Sequence, residues 1–152
     1  MDIRIDDLRG PEIARLLETH LEFAAQHSPP EYAHALDLDA LRVPEITFWT
    51  AWEGDDLLGC GALKEIAADE GEIKSMHTAL AHRGKGIGQA MVAKILEEAR
   101  RRGYKRLFLE TGTPDAFAPA RALYAGHGFQ PCGVFGDYIA SDFNTFMRLD
   151  LG

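Results

Sequence analysis

Residues 2 to 6 alternate polar and apolar, the period of a short strand with one buried face. Gly10-Pro11 then opens a helix in which Ile13, Leu16, Leu17, His20, Leu21 and Ala24 share one stripe, and Pro29-Pro30 ends it. A second helical stretch, about Glu31 to Leu41, closes before Pro44, because a proline pushes the preceding residue out of helical geometry. Ile46 to Trp52 and Leu57 to Ile66 flank Glu53-Gly54-Asp55-Asp56 and predict a β-hairpin. A polar turn at Asp69-Glu70-Gly71 leads into a third strand of the meander. The strongest helical pattern follows, with Ile87, Met91, Ile95 and Ala99 at fourfold spacing. Glu97–Arg101 and Glu98–Arg102 pairs sit on its polar face and Gly103 is its stop.

Composition narrows the class. A chain of 152 residues, 46% hydrophobic and 26% charged, suits one globular domain over residues 1–152 with a core of its own. Sixteen basic against twenty-four acidic residues leave a net charge of −8, which argues against nucleic acid or an anionic membrane as partner. The balance favours cationic partners or simply serves solubility. Cys60 and Cys132 lack metal-ligand spacing, and His20, His27 and His34 form no HExxH-type pattern, so no metal is expected. The opening Met1-Asp2-Ile3-Arg4 is no basic and apolar leader, and no apolar run approaches the roughly 18 residues of a membrane span. A cytoplasmic protein with reduced thiols is expected.

The chemistry concentrates at His82-Arg83-Gly84-Lys85-Gly86-Ile87-Gly88, a glycine-rich basic turn leading from a strand into the strongest helix. Glycine permits positive φ and close approach of a ligand, and the first free N–H groups of a helix attract anions. A pyrophosphate cradle is one reading; a tight strand-to-helix connection that binds nothing is the other. Walker A fails because Lys85 is followed by Gly86 rather than Ser or Thr, and the dinucleotide fingerprint fails because Met91 stands where its third glycine belongs.

The run Arg83-x-x-Gly86-x-Gly88 resembles the acyl-CoA signature, Arg or Gln-x-x-Gly-x-Gly or Ala, of the GCN5-related N-acetyltransferase (GNAT) superfamily. Glu72 to Thr78 looks like that family's central strand, Ile87 to Arg102 like its cofactor helix and Leu107 to Thr111 like the next strand. Ala120-x-x-Leu123-Tyr124-x-x-x-Gly128-Phe129 is similar to its second signature. The resemblance covers residues 46 to 150 well and the N-terminal third only by pattern. It implies an α/β (α+β) fold: a mixed, mostly antiparallel sheet of six or seven strands with a central splay and helices on both faces. The implied function is acetyl-CoA-dependent acetylation of a primary amine, on a small molecule or a protein, by direct attack in a ternary complex. The alternative is a non-catalytic acyl-CoA-binding regulatory domain.

An alkylammonium of pKa near 10.4 is only about 0.04% neutral at pH 7, so such an enzyme must help remove a proton. Glu72, eleven residues before Arg83, stands where the histone-acetyltransferase branch carries a catalytic glutamate; the other reading of Glu72 is a strand carboxylate paired with Lys74 or a cross-strand neighbour. Strand alternation puts it on one face with Lys74 and Met76. Glu110 is the second candidate, and a water relay the third. In the second signature the tyrosine, here Tyr124, commonly protonates the leaving thiolate; a half-buried packing role is its alternative.

The resemblance further assigns the pyrophosphate to Arg83, Gly84, Lys85, Gly86, Ile87 and Gly88. The thioester and pantetheine arm fall to the backbone of Met76, His77 and Thr78 on a bulged strand. Two positions depart from the family: Phe117 stands where an asparagine often binds the pantetheine arm, and Leu80 where a proline is common. His20, Phe23, Tyr32 and His34 fall on helices that wall the acceptor site in this family. Residues 131 to 150 supply a sheet edge and a candidate homodimer surface.

Overall fold

A computed structural model describes residues 1–30 and 36–152. The strands are β1 (Asp2–Ile5), β2 (Ile46–Glu53), β3 (Asp56–Ala67), β4 (Glu70–Thr78), β5 (Arg106–Gly112), β6 (Gln130–Cys132) and β7 (Asn144–Asp150). The helices are α1 (Pro11–His27), the single turn α2 (Leu38–Leu41), α3 (Ile87–Arg101) and α4 (Ala118–Gly126). The strands form one seven-stranded sheet in the order β1-β2-β3-β4-β5-β7-β6, in which β4–β5 is parallel and the remaining pairs are antiparallel. The expected α/β architecture is therefore the observed one.

Strand alternation sends neighbouring side chains to opposite sides of the sheet, and two cores result. On one side Trp49, Leu63, Ile73, Leu107 and Leu109 pack beneath α3 and α4. On the other, Phe48, Cys60 and Ala62 pack beneath α1 and α2 through Ile13, Leu16, Leu17 and Leu41. Ile87, Met91, Ile95 and Ala99, the predicted stripe of α3, are all at least 96% buried. Full burial of an Ile or Met side chain stabilises by roughly 1.5–3 kcal/mol, so this stripe fixes α3 on the sheet. Gly61 lets the helix come that close, since a Cβ there would lie 2.7 Å from both Met76 Sδ and Met91 Cγ.

Three local expectations need correction. The helix predicted over Glu31 to Leu41 does not run through Asp37, which is extended and caps α2 by accepting from the Ala40 N–H at 2.9 Å; residues 31–35 lie outside the described residues. Asp is a strong N-cap, and a cap is where a helix starts rather than continues. Arg101 pairs with Glu98, not Glu97, so that Glu98 holds Arg101 and Arg102 together while Glu97 reaches Lys94 at 4.0 Å. The third correction, the face on which Met76 lies, shapes the site.

Candidate active site

The ladder between β3 and β4 slips by one residue: Cys60 faces His77, yet Ala62 faces Lys74. Gly61 thus stands opposite both Ser75 and Met76, and Ser75 takes a left-handed φ of 55°. This is a β-bulge. Its extra residue resets the alternation, so Glu72 and Lys74 share a face as expected while Met76 turns to the opposite side and packs against the α3 core beside Ile73. His77 takes the face that Met76 was predicted to occupy and meets His20 of α1.

Just ahead of the bulge, β4 also leaves β5. Their parallel pairing covers Glu70–Ile73 against Arg106–Leu109 and then stops, which leaves that edge of Lys74 to Thr78 without a strand partner among the described residues. A cavity of about 720 Å³ opens in and beside the gap. Glu72, Met76, His77, Thr78, Arg83, Gly84, Gly86, Ile87, Gly88 and Tyr124 all line it, together with Glu110, His20, Phe23 and Phe117. Lys85 does not; its Nζ lies 3.1 Å from His82 Nδ1 on the exposed side of the turn. Tyr32 and His34 lie outside the described residues.

At one end of the cavity, α3 begins at Gly86, whose φ of 80° and ψ of 15° suit glycine, with no side chain capping the helix. The first-turn N–H groups are therefore free for an anion, at the positive end of the helix dipole. Arg83 adds charge and lies over the Phe23 ring, 5.9 Å from its centroid. Phe23 in turn meets Phe117 edge-on at 5.3 Å, so the residue standing in for the family's asparagine contributes an aromatic wall.

At the other end, Glu72 is 4% exposed. Its Oε2 accepts from Tyr138 Oη at 2.6 Å and from Lys74 Nζ at 3.1 Å, and Lys74 also donates to Tyr138 Oη at 2.6 Å. The paired-carboxylate reading is thus realised with Lys74, but both contacts end on one oxygen, and Oε1 takes no hydrogen bond from the described residues. Burial, then the charge of Glu72 and the hydrogen bond to it, then Glu110, push the Tyr138 phenol far above its ordinary pKa. Glu110 accepts from Asn144 Nδ2 at 3.3 Å. Tyr138 carries no signal in the sequence, because the β6–β7 connection is aperiodic; the aromatic spacing Phe135–Tyr138 is the one clue it offers.

Tyr124 sits on α4 between these ends, 6% exposed, with its ring 5.9 Å from that of Phe129. Burial drives its phenol far up, so it is protonated at neutral pH. His20 and His77 face each other with 3.1 Å between Nδ1 atoms. Burial lowers each to about 4, helped at His77 by the charges of His20 and Arg83, so both are neutral and one donates to the other. The Ser75 hydroxyl, at the bulge, is buried without a hydrogen-bond partner among the described residues.

An uncapped helix end, an unpaired strand edge and an orphaned hydroxyl, all along one cavity, suit a long ligand carrying phosphate at one end and amide or carbonyl groups along its length. The sequence profile of the Acetyltransferase (GNAT) family matches residues 11–129. The chain belongs to that family. It is 52% identical to YsnE of Bacillus subtilis, an uncharacterized N-acetyltransferase, over 99% of this chain and 100% of that one. It is 42% identical to YedL of Escherichia coli, likewise an uncharacterized N-acetyltransferase, over 98% of this chain and 94% of that one. Its fold superposes on a Bacillus subtilis acetyltransferase crystallised with CoA at a TM-score of 0.71 and 19% identity, covering 98% of this chain and 97% of that one. This GNAT chain is accordingly an N-acetyltransferase. Among its described residues no helix is long and apolar enough to cross a membrane.

Proposed function

We propose that this GNAT protein works as one catalytic domain that acetylates a primary amine by direct attack, with Glu72 as base and Tyr124 as acid. Acetyl-CoA supplies an acetyl group on a thioester, which an amine takes with formation of a C–N bond and loss of the C–S bond. Glu72 Oε1 accepts the proton that the amine must shed, and Tyr124 Oη gives one to the departing sulfur. Backbone groups of Met76, His77 and Thr78 stabilise the polarised carbonyl and hold the arm. The free N–H groups of Gly86, Ile87 and Gly88, with Arg83 and Gly84, hold the pyrophosphate, and Lys85 adds only to the field around it.

The observation that supports this reading is one cavity joining three things: an uncapped helix start, a buried phenol that keeps its proton, and a buried carboxylate with one oxygen that takes no hydrogen bond from the described residues. A panel of amines, monitored by thiol release from acetyl-CoA, tests it. Amine-dependent release is expected. If acetyl-CoA binds but no amine raises release above background hydrolysis, a non-catalytic acyl-CoA-binding domain takes its place.

A further inference from the structure

Residues 133–143, between β6 and β7, lay two aromatic rings on the sheet face that carries Glu72. Phe135 packs on Phe108 of β5 at 4.9 Å and on Phe146 of β7 at 5.7 Å, and Tyr138 packs on Phe135 at 5.2 Å and on Phe146 at 5.8 Å. Asn144 fastens the end of the connection: its Oδ1 accepts from the Ser141 N–H and hydroxyl at 3.0 and 2.8 Å, and its Nδ2 donates to Ile139 O at 3.2 Å. Tyr138 is therefore anchored on the β5–β7 arm of the splayed sheet, while its hydroxyl bonds Glu72 and Lys74 on the β4 arm.

We propose that Tyr138 is a positioning residue for Glu72, holding its Oε2 across the splay so that Oε1 alone is presented to the acceptor amine. The proposal rests on reading Glu72 as the base. A carboxylate tied only to a lysine can swing, because an ammonium on a four-carbon stem follows whichever oxygen comes to it. A phenol packed on Phe135 and Phe146 cannot follow, so it fixes which oxygen is committed. Lys74, by accepting no proton and donating to both partners, completes a ring of three contacts.

Among the described residues, the groups facing Glu72 on this side of the sheet are Lys74 on its own strand, Lys64 opposite it on β3, Glu110 on β5 and Tyr138 itself. His20 of α1 and His77 lie further along the same face. Of these, Tyr138 is the one whose hydroxyl can be deleted while its packing stays, since Phe at 138 keeps the ring contacts.

The test compares pH profiles of kcat/KM for the wild type, Tyr138→Phe, Glu72→Gln and the double variant, with acetyl-CoA affinity measured alongside. Tyr138→Phe is expected to leave that affinity unchanged and to lower kcat/KM roughly tenfold near pH 7. The loss should shrink toward wild type as pH rises and the amine becomes neutral without a base. In the Glu72→Gln background the same change should cost less than about twofold, because the partner it positions is gone. A uniform loss at every pH, equal in both backgrounds, would assign Tyr138 to holding the connection in place and overturn the proposal. No loss at all would overturn it too. A wild-type profile in Glu72→Gln would instead remove the reading of Glu72 as base, an outcome distinct from either.

Discussion

A proton donor to a departing thiolate must keep its proton until the sulfur asks for it, and burial secures that for Tyr124 by making the phenolate costly. The difficulty is matching: a reference phenol near 10 and a thiol near 8.5 already differ by about 2 kcal/mol, and burial of the phenol alone would widen the gap. Burial acts on sulfur in the same direction, however. The enclosed Cys60 shows it within this molecule, its thiol pushed up to about 12 chiefly by desolvation. A sulfur leaving beside Tyr124 in the same cavity becomes a stronger base for the same reason, so the transfer is closer to balanced than reference values suggest. Tyr124→Phe should therefore keep acetyl-CoA affinity while lowering kcat by roughly 10²-fold, within the range that general acid–base assistance provides. Calorimetry and steady-state rates together check this. A kcat within about twofold of wild type would leave Tyr124 with its packing against Phe129 alone.

The cradle belongs to the element scale, because it is made by the junction of β4 with α3 rather than by any side chain. Gly86 starts the helix at a φ of 80°, and a Cβ there meets nothing within 4 Å, so a substitution acts through backbone conformation and not through a clash. Left-handed geometry costs an ordinary residue roughly 1–2 kcal/mol, and a β-branched one resists it more. Gly86→Val is expected to remain folded, since α3 is held by its buried stripe, and to lose acetyl-CoA binding by tenfold or more, roughly the 1.4 kcal/mol that one such strain represents. Unchanged affinity in a folded variant would remove the junction from the phosphate site. The same scale explains what was legible beforehand. The stripe of α3, the hairpin and the glycine turn are local, each written in a period or a cluster that no distant contact needs to complete. The bulge is expected from the family resemblance, but its position is not local: Ser75 looks like any strand residue, and the extra residue that turns Met76 away from Glu72 is fixed by the pairing of β4 with β3. Asp37 could have been read as a cap, but the helical pattern before it was stronger than one polar residue. Tyr138 reaches the site only because an aperiodic connection folds back on the sheet, and nothing within residues 133–143 says where it lands.

Across the whole molecule, α1 closes one side of the cavity and is joined to β4 by two buried histidines, His20 and His77. His20 and His77 titrate near 4 in the fold, below the ordinary 6.5. The unfolded chain therefore binds more protons than the native one between these values, and the sign follows: the stability is present in full above about pH 6.5 and is lost as pH falls toward 4. Glu98 behaves as a depressed carboxylate, lowered to about 2 by hydrogen bonds first from Arg101 and then from Arg102, so its share holds above about 4.5 and is lost below. That cluster sits at the surface, where solvent and salt screen it, and its contribution is small. Thermal melts from pH 8 to pH 3 should thus show a decline beginning near 6.5 that salt does not remove and a weaker one below 4.5 that salt diminishes. The double substitution His20→Gln with His77→Gln, which leaves two neutral hydrogen-bonding side chains in place, should flatten the first decline and leave the second. Because the histidines join the helix to the strand that lines the cavity and stay neutral in the fold until pH nears 4, acetyl-CoA affinity should hold through the upper window and weaken only as pH approaches 4, less so in the double variant. Melting that stays level from pH 6.5 to 5 in the wild type would mean that the pair is not held neutral, and the link between α1 and the cavity would have to be sought in Phe23 and Phe117 instead.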